Sequence, residues 1–148
     1  MTHYAYDALN RFTLTTYPDN TTASKTYDFR GNVLTETDQA GHVTKHVYDL
    51  AGREVSMTRA SGTSDASTTT YDYDDAGRKV TSSHANGVSV SYTYDDLNRL
   101  ETVTDALLGG GQTTYSYDSA SNVGTVKYPN GVQSTFSYDA LNRVTGLS

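Results

Sequence analysis

The chain has 148 residues, a formal net charge of −6, and no cysteine, tryptophan or isoleucine. The acidic balance argues against a nucleic-acid partner, which requires a basic footprint. The lack of cysteine removes disulfide frameworks and thiolate chemistry, and no apolar run approaches the ~18 residues of a membrane helix. Thirteen tyrosines and many threonines stand where leucine, isoleucine and valine usually fill a core. Both residue types favour strands, because a ring or a branched side chain packs on a pleated surface.

Seven Tyr-Asp pairs punctuate the chain in order: Tyr6-Asp7, Tyr27-Asp28, Tyr48-Asp49, Tyr73-Asp74, Tyr94-Asp95, Tyr117-Asp118 and Tyr138-Asp139. Their tyrosines are separated by 21, 21, 25, 21, 23 and 21 residues, which is the mark of a repeat array. Met1-Thr2-His3 enters this pattern with no basic or apolar leader, so no signal peptide is expected. Tyr4-Ala5-Tyr6 predicts a strand with both rings on one face. Asp7 then opens a turn that closes at Asn10, and Arg11-Phe12 starts the next strand. A second turn follows at Pro18-Asp19-Asn20.

The same grammar recurs down the chain. The position four after each tyrosine holds Asn10, Gly31, Gly52, Gly77, Asn98, Ser121 and Asn142, mostly residues that tolerate positive φ. Next come Arg11, Asn32, Arg53, Arg78, Arg99, Asn122 and Arg143. An apolar residue follows at Phe12, Val33, Leu100, Val123 and Val144. In two repeats it is delayed to Val55 and Val80, behind Glu54 and Lys79, and those strands are expected to be shifted in register or bulged. The second turn reappears at Gly41, Gly62, Gly87 and Gly131. Extra residues at 63–67 and 109–112 fall beside this second turn, so that edge is the variable one. Residues 103–108 are the nearest candidate for a helix, ended by Gly109-Gly110-Gly111.

Each repeat therefore holds two short strands and two turns, and the fold expected is an all-β antiparallel meander of hairpins with roughly twelve to fourteen strands across a single array, residues 1–148, partial repeats at both ends. The tyrosines are read as stacking on one another between repeats, with sugar stacking as the alternative. The seven aspartates are read as turn caps, since an Asp side chain accepts backbone N–H bonds two residues on. Calcium ligation is the alternative, which needs oxygens converging on one point. The arginines are expected to pair with an aspartate of their own or a neighbouring turn, as Arg78 with Asp74 or Asp95. His42 and His46 lie too far apart on a strand to share a metal. No catalytic residue, metal or cofactor is assigned, and the expectation is a protein that is not an enzyme.

The string Tyr-Asp-x-x-Gly/Asn-Arg-apolar, complete in residues 6–12, 94–100 and 138–144, resembles the YD repeat of the RHS family. That family includes rearrangement-hotspot proteins, the shell components of Tc toxins, and teneurins. The resemblance implies a long sheet curving or spiralling into a hollow shell around a cargo polypeptide, in a bacterial secreted or cell-surface protein. It gives no autoproteolytic residue here, because the family's Asp-Pro core motif is absent. The function expected is a structural shell or scaffold module. A head-to-tail assembling subunit, joined through its sheet ends, and a glycan- or protein-binding adhesin module are the alternatives. The partners implied are other repeats, further copies of the chain, a cargo polypeptide or a glycan, with no nucleic acid and no membrane span.

Overall fold

The computed structural model describes residues 1–148. The chain divides into two compact units, Met1–Tyr71 and Asp72–Ser148. The first contains β1 (His3–Tyr6), β2 (Phe12–Thr16), β3 (Thr22–Tyr27), β4 (Val33–Thr37), β5 (Val43–Tyr48), β6 (Glu54–Arg59) and nearly all of β7 (Ser67–Tyr73). The second contains β8 (Lys79–His84), β9 (Ser89–Tyr94), β10 (Leu100–Asp105), β11 (Gly111–Tyr117), β12 (Val123–Lys127), β13 (Gln133–Tyr138) and β14 (Val144–Leu147). Within each unit every strand pairs antiparallel with its neighbour in sequence, giving an all-β meander. The candidate helix at 103–108 is strand to Asp105, then a single 3-10 turn at Ala106–Leu108. Gly109, at φ 65°, closes that turn. No helix is long and apolar enough to cross a membrane.

The hairpins owe their shape to one turn used on both edges. In the first, the Asp7 N–H donates to Arg11 O at 2.9 Å and the Asn10 N–H to Asp7 O at 3.0 Å. This is a three-residue loop whose last member is left-handed, with a bulge where it rejoins the strand. Asn10 has φ 59° and Gly52 has φ 81°. The second edge repeats the pattern, from Tyr17 N–H to Thr21 O at 2.9 Å and from Asn20 N–H to Tyr17 O at 2.9 Å. Asp19, Asp38, Asn86 and Asn130 accept the N–H two residues on in these second turns, as the Tyr-Asp aspartates do in the first.

The bulge recurs wherever a Tyr-Asp hairpin is described: Tyr6 opposes Phe12, Tyr27 Val33, Tyr48 Glu54, Tyr94 Leu100, Tyr117 Val123 and Tyr138 Val144. A bulge is thus present beside Glu54, one of the two outcomes expected there, but it is common to these hairpins and carries no register shift peculiar to that repeat. Glu54 occupies the same register position as Phe12, and β8 likewise begins at Lys79. Turn geometry fixes the register, so a polar residue entered the apolar slot without moving the strand.

Little is fully buried. Val126, Thr15 and Thr69 are buried, and no large side chain is completely enclosed. A ring in such a fold is covered only by its neighbours within the sheet, so stability has to come from the turns and from contacts repeated between adjacent hairpins.

Candidate functional site

The recurring unit that could act is the seam between one Tyr-Asp turn and the next. It begins with the aspartate. Asp7 Oδ1 accepts the N–H of Leu9 and of Arg11, both at 2.9 Å, and Asp7 Oδ2 accepts Arg11 Nε at 2.7 Å. Asp49, Asp95 and Asp139 repeat the full set, with Arg53, Arg99 and Arg143 as donors. Asp74 accepts both the backbone N–H and Nε of Arg78. Where the sequence has Asn32 or Asn122, the amide nitrogen replaces the guanidinium, bonding Asp28 at 2.8 Å and Asp118 at 3.0 Å.

These bonds hold the carboxyls below the ordinary aspartate range. The chief cause is the backbone N–H four residues on for Asp7, Asp49, Asp74 and Asp139, and the side chain of that residue for Asp95 and Asp118. Burial is the largest single influence on Asp28 and opposes ionisation there. The Asn32 side chain and the backbone donors together outweigh it.

The tyrosine joins this turn to the preceding hairpin. The Tyr27 hydroxyl donates to Phe12 O at 2.7 Å, Tyr48 to Val33 O at 3.0 Å, and Tyr94 to Lys79 O at 2.8 Å. Tyr117 donates to Leu100 O at 2.7 Å and Tyr138 to Val123 O at 3.0 Å. Each acceptor is the first residue of the adjacent preceding strand, which belongs to the neighbouring Tyr-Asp hairpin. Tyr6 is exposed on β1, and Tyr73 ends β7. Burial is the main reason the Tyr48 and Tyr117 hydroxyls are pushed above their ordinary values.

A guanidinium completes the seam. Arg11 lies 4.7 Å from the Tyr27 ring centroid, Arg78 4.8 Å from Tyr94, and Arg99 4.4 Å from Tyr117. The same arginines reach the following turn, at Asp28 O (2.9 Å), Asn98 Oδ1 (2.6 Å) and Ser121 Oγ (3.0 Å). Asn122 makes the equivalent link to Asn142 at 2.9 Å. The ladder is thus arginine on tyrosine at these seams, which corrects the expected stacking of tyrosine on tyrosine. Successive Tyr-Asp strands are two strand spacings apart, about 9.5 Å. Ring pairs need centroids within about 7 Å, so the arginine of the strand between fills the gap. Ring-on-ring contacts occur instead inside hairpins, as Tyr4 and Tyr6 against Phe12.

Two polar pairs interrupt the aromatic face of the first unit. Lys25 Nζ lies 2.6 Å from Glu36 Oε1, a bond that is the chief reason the ammonium is held above its ordinary value. His46 Nδ1 lies 2.5 Å from Glu54 Oε1, while His46 Nε2 is buried without a hydrogen-bond partner. His42 pairs with Asp38 at the second turn. No three His, Asp or Glu side chains are grouped to hold a metal ion. On the opposite face threonine hydroxyls meet across strands, Thr26 with Thr35 at 2.6 Å and Thr93 with Thr102 at 2.8 Å.

Sequence reasoning did not find the tyrosine acceptors. The signal was the constant spacing of fifteen residues from acceptor to tyrosine at four of these five seams. It also did not pair Lys25 and His46 with Glu36 and Glu54 on the next strand.

The family described as Teneurin YD-shell matches residues 20–148. No curated protein matches the sequence. Among solved structures, the chain is similar to a TcdB2-TccC3 complex without its hypervariable C-terminal region, at 18% identity and TM-score 0.80, covering 97% of this chain and 9% of that one. It is similar to the Photorhabdus luminescens Tc holotoxin pore, at 23% identity and TM-score 0.73, covering 88% of this chain and 7% of that one. A porin-like protein from Bacteroides uniformis matches at 13% identity and TM-score 0.54, covering 99% of this chain and 80% of that one. The chain spans less than a tenth of the length of the toxin chains it matches, and at these identities the likeness is one of fold.

Proposed function

The chain belongs to the teneurin YD-shell family, and from that premise we propose that it is a non-catalytic length of shell wall from an RHS-like bacterial protein working outside the cell or at its surface. The array of Tyr-Asp repeats over residues 1–148 acts as one structural element, and the wall it contributes to encloses a polypeptide cargo.

One observation carries this reading: the functional-looking residues do not converge. The carboxylates, arginines and tyrosines are dealt out one set per repeat, and each set is used up in joining a turn to its neighbour. Catalysis needs a nucleophile, a base and a substrate position at one point. A wall needs the opposite, a contact that can be repeated along a sheet. Each of these seams supplies a hydroxyl-to-carbonyl bond, roughly 0.5–1.5 kcal/mol net, and those built with an arginine add a cation over a ring, roughly 0.5–1 kcal/mol at exposed sites. These terms are small singly and add along an array.

Limited subtilisin digestion with sedimentation velocity tests the proposal. A wall element resists cleavage in its Tyr-Asp turns and is first cut in the long second-edge loops, at residues 60–66 and 106–110. Preferred cleavage in the Tyr-Asp turns would contradict it. Concentration-dependent growth into long polymers would favour the head-to-tail subunit instead.

A further inference from the structure

The repeat array carries its own control for what the fold requires, and one place departs from it. In the first unit, Phe29 and Leu50 sit at the tips of adjacent Tyr-Asp turns, 87% and 91% exposed. Leu34 on β4 and Val47 on β5 lie below them, also exposed. Together they line a concavity of about 400 Å³, within the size range of ligand-binding clefts. At the place of Phe29 and Leu50 the other turns carry Ala8, Asp75, Asp96, Ser119 and Ala140. At the place of Val47 the other strands carry Ala5, Thr26, Asp72, Thr93, Ser116 and Ser137. The fold therefore forms without large apolar residues at these points. Exposed apolar clusters rimmed by polar groups mark interaction sites.

The rim selects the partner. Arg30 lies 5.2 Å over the Phe29 ring and donates from Nη1 to Leu50 O, which ties the two turns together. Lys45 lines the same concavity. The carboxylates there, Asp28 and Asp49, already accept the N–H and side-chain donors of their own turns. The cations are thus the groups left to meet a ligand, in a chain whose net charge is −6.

We propose that this concavity binds an extended acidic segment of a partner polypeptide, seating a leucine- or phenylalanine-sized side chain among Phe29, Leu34, Val47 and Leu50 while flanking carboxylates meet Arg30 and Lys45. An anionic bilayer is disfavoured as the occupant, because a concave site admits a side chain rather than a flat surface. The site adds a binding activity to the wall and does not depend on it.

Fluorescence anisotropy with a labelled octapeptide of alternating glutamate and leucine tests the proposal. The matching lysine–leucine peptide and vesicles of phosphatidylcholine with phosphatidylserine serve as comparisons. Phe29→Ala with Val47→Thr, and Arg30→Ala with Lys45→Ser, install residues that other repeats carry at those places, so the fold is retained and circular dichroism checks it. Saturable binding of the acidic peptide is expected, at least tenfold weaker in either double variant, at least tenfold weaker for the lysine peptide, and falling with added salt. Absence of saturable binding, equal binding of the lysine peptide, indifference to both double variants, or binding of vesicles in preference to the peptide would each overturn it. Subtilisin resistance and melting temperature report on the wall separately.

Discussion

Replacing Tyr94 by phenylalanine removes one atom and tests the seam with little else disturbed. The hydroxyl donates to Lys79 O at 2.8 Å, and Arg78 sits 4.8 Å from the ring centroid. Phenylalanine keeps the ring, the cation above it and the apolar contacts. The loss is therefore one hydrogen bond, about 1 kcal/mol net. The ring is half-buried, so water can reach the abandoned carbonyl and the penalty for an unpaired buried acceptor is not added. For a chain of this length a change of that size lowers Tm by about 2–4 °C. Tyr6 provides the comparison. It is 57% exposed, and its hydroxyl meets no carbonyl, so Tyr6→Phe should stay within about 0.5 kcal/mol of the parent, as surface changes do. Urea unfolding followed by far-ultraviolet circular dichroism measures both. A neutral Tyr94→Phe, or a Tyr6→Phe that costs as much, would refute the reasoning that the hydroxyl joins one hairpin to another.

Gly52→Val should destabilise by about 1–3 kcal/mol, through backbone strain alone, since φ is 81° and the nearest foreign atom to an added Cβ is Asn32 Nδ2 at 4.0 Å. Gly52→Asn should be nearly neutral in the same thermal melt, because Asn10, Asn98 and Asn142 adopt φ of 59–62°. The turn aspartates are held below the ordinary aspartate value of about 3.9. The stability they lend is complete above that value and is lost as pH falls through the lower folded values. Melts between pH 2 and 6 should show Tm falling below about pH 4, and a Tm held level to pH 2 would contradict the caps. Glu54→Val alone leaves the His46 ring unpaired and should cost about 1–3 kcal/mol. Adding His46→Phe should recover that loss or exceed it, since a well-packed apolar pair often outperforms a part-buried polar one.

The hairpins were legible in the sequence because turn chemistry is local. Asp at the opening of a turn and Gly or Asn at its left-handed position act through atoms two to four residues apart, and the strands between them show their period directly. The 3-10 turn at Ala106–Leu108 was legible in place, though shorter than the candidate segment, because the strand continues to Asp105. The seams were harder to see. Tyr27 finds its acceptor at Phe12 on the adjacent strand of the preceding hairpin, a meeting set by strand pairing rather than by any local motif. Tyrosine-on-tyrosine stacking was a sound expectation for a ring present in every repeat, but it ignored the strand that lies between the rings. The reading of Glu54 as a repeat-specific shift failed for another reason. It took the apolar residue as the marker of register, whereas the turn and its bulge set the register and tolerate a charged residue in that slot.

The claim that holds the account together is that the repeats are interchangeable units joined by the same seam. Deleting residues 79–99 tests it directly. The deletion removes one 21-residue period and joins Arg78 to Leu100, recreating the Tyr73-Asp74 turn followed by arginine and leucine found at Arg99-Leu100. The account predicts a shortened chain that still folds as an all-β protein, with a smaller urea m-value and a lower unfolding free energy in proportion to one repeat. A shortened chain that is soluble but unfolded by circular dichroism would contradict it.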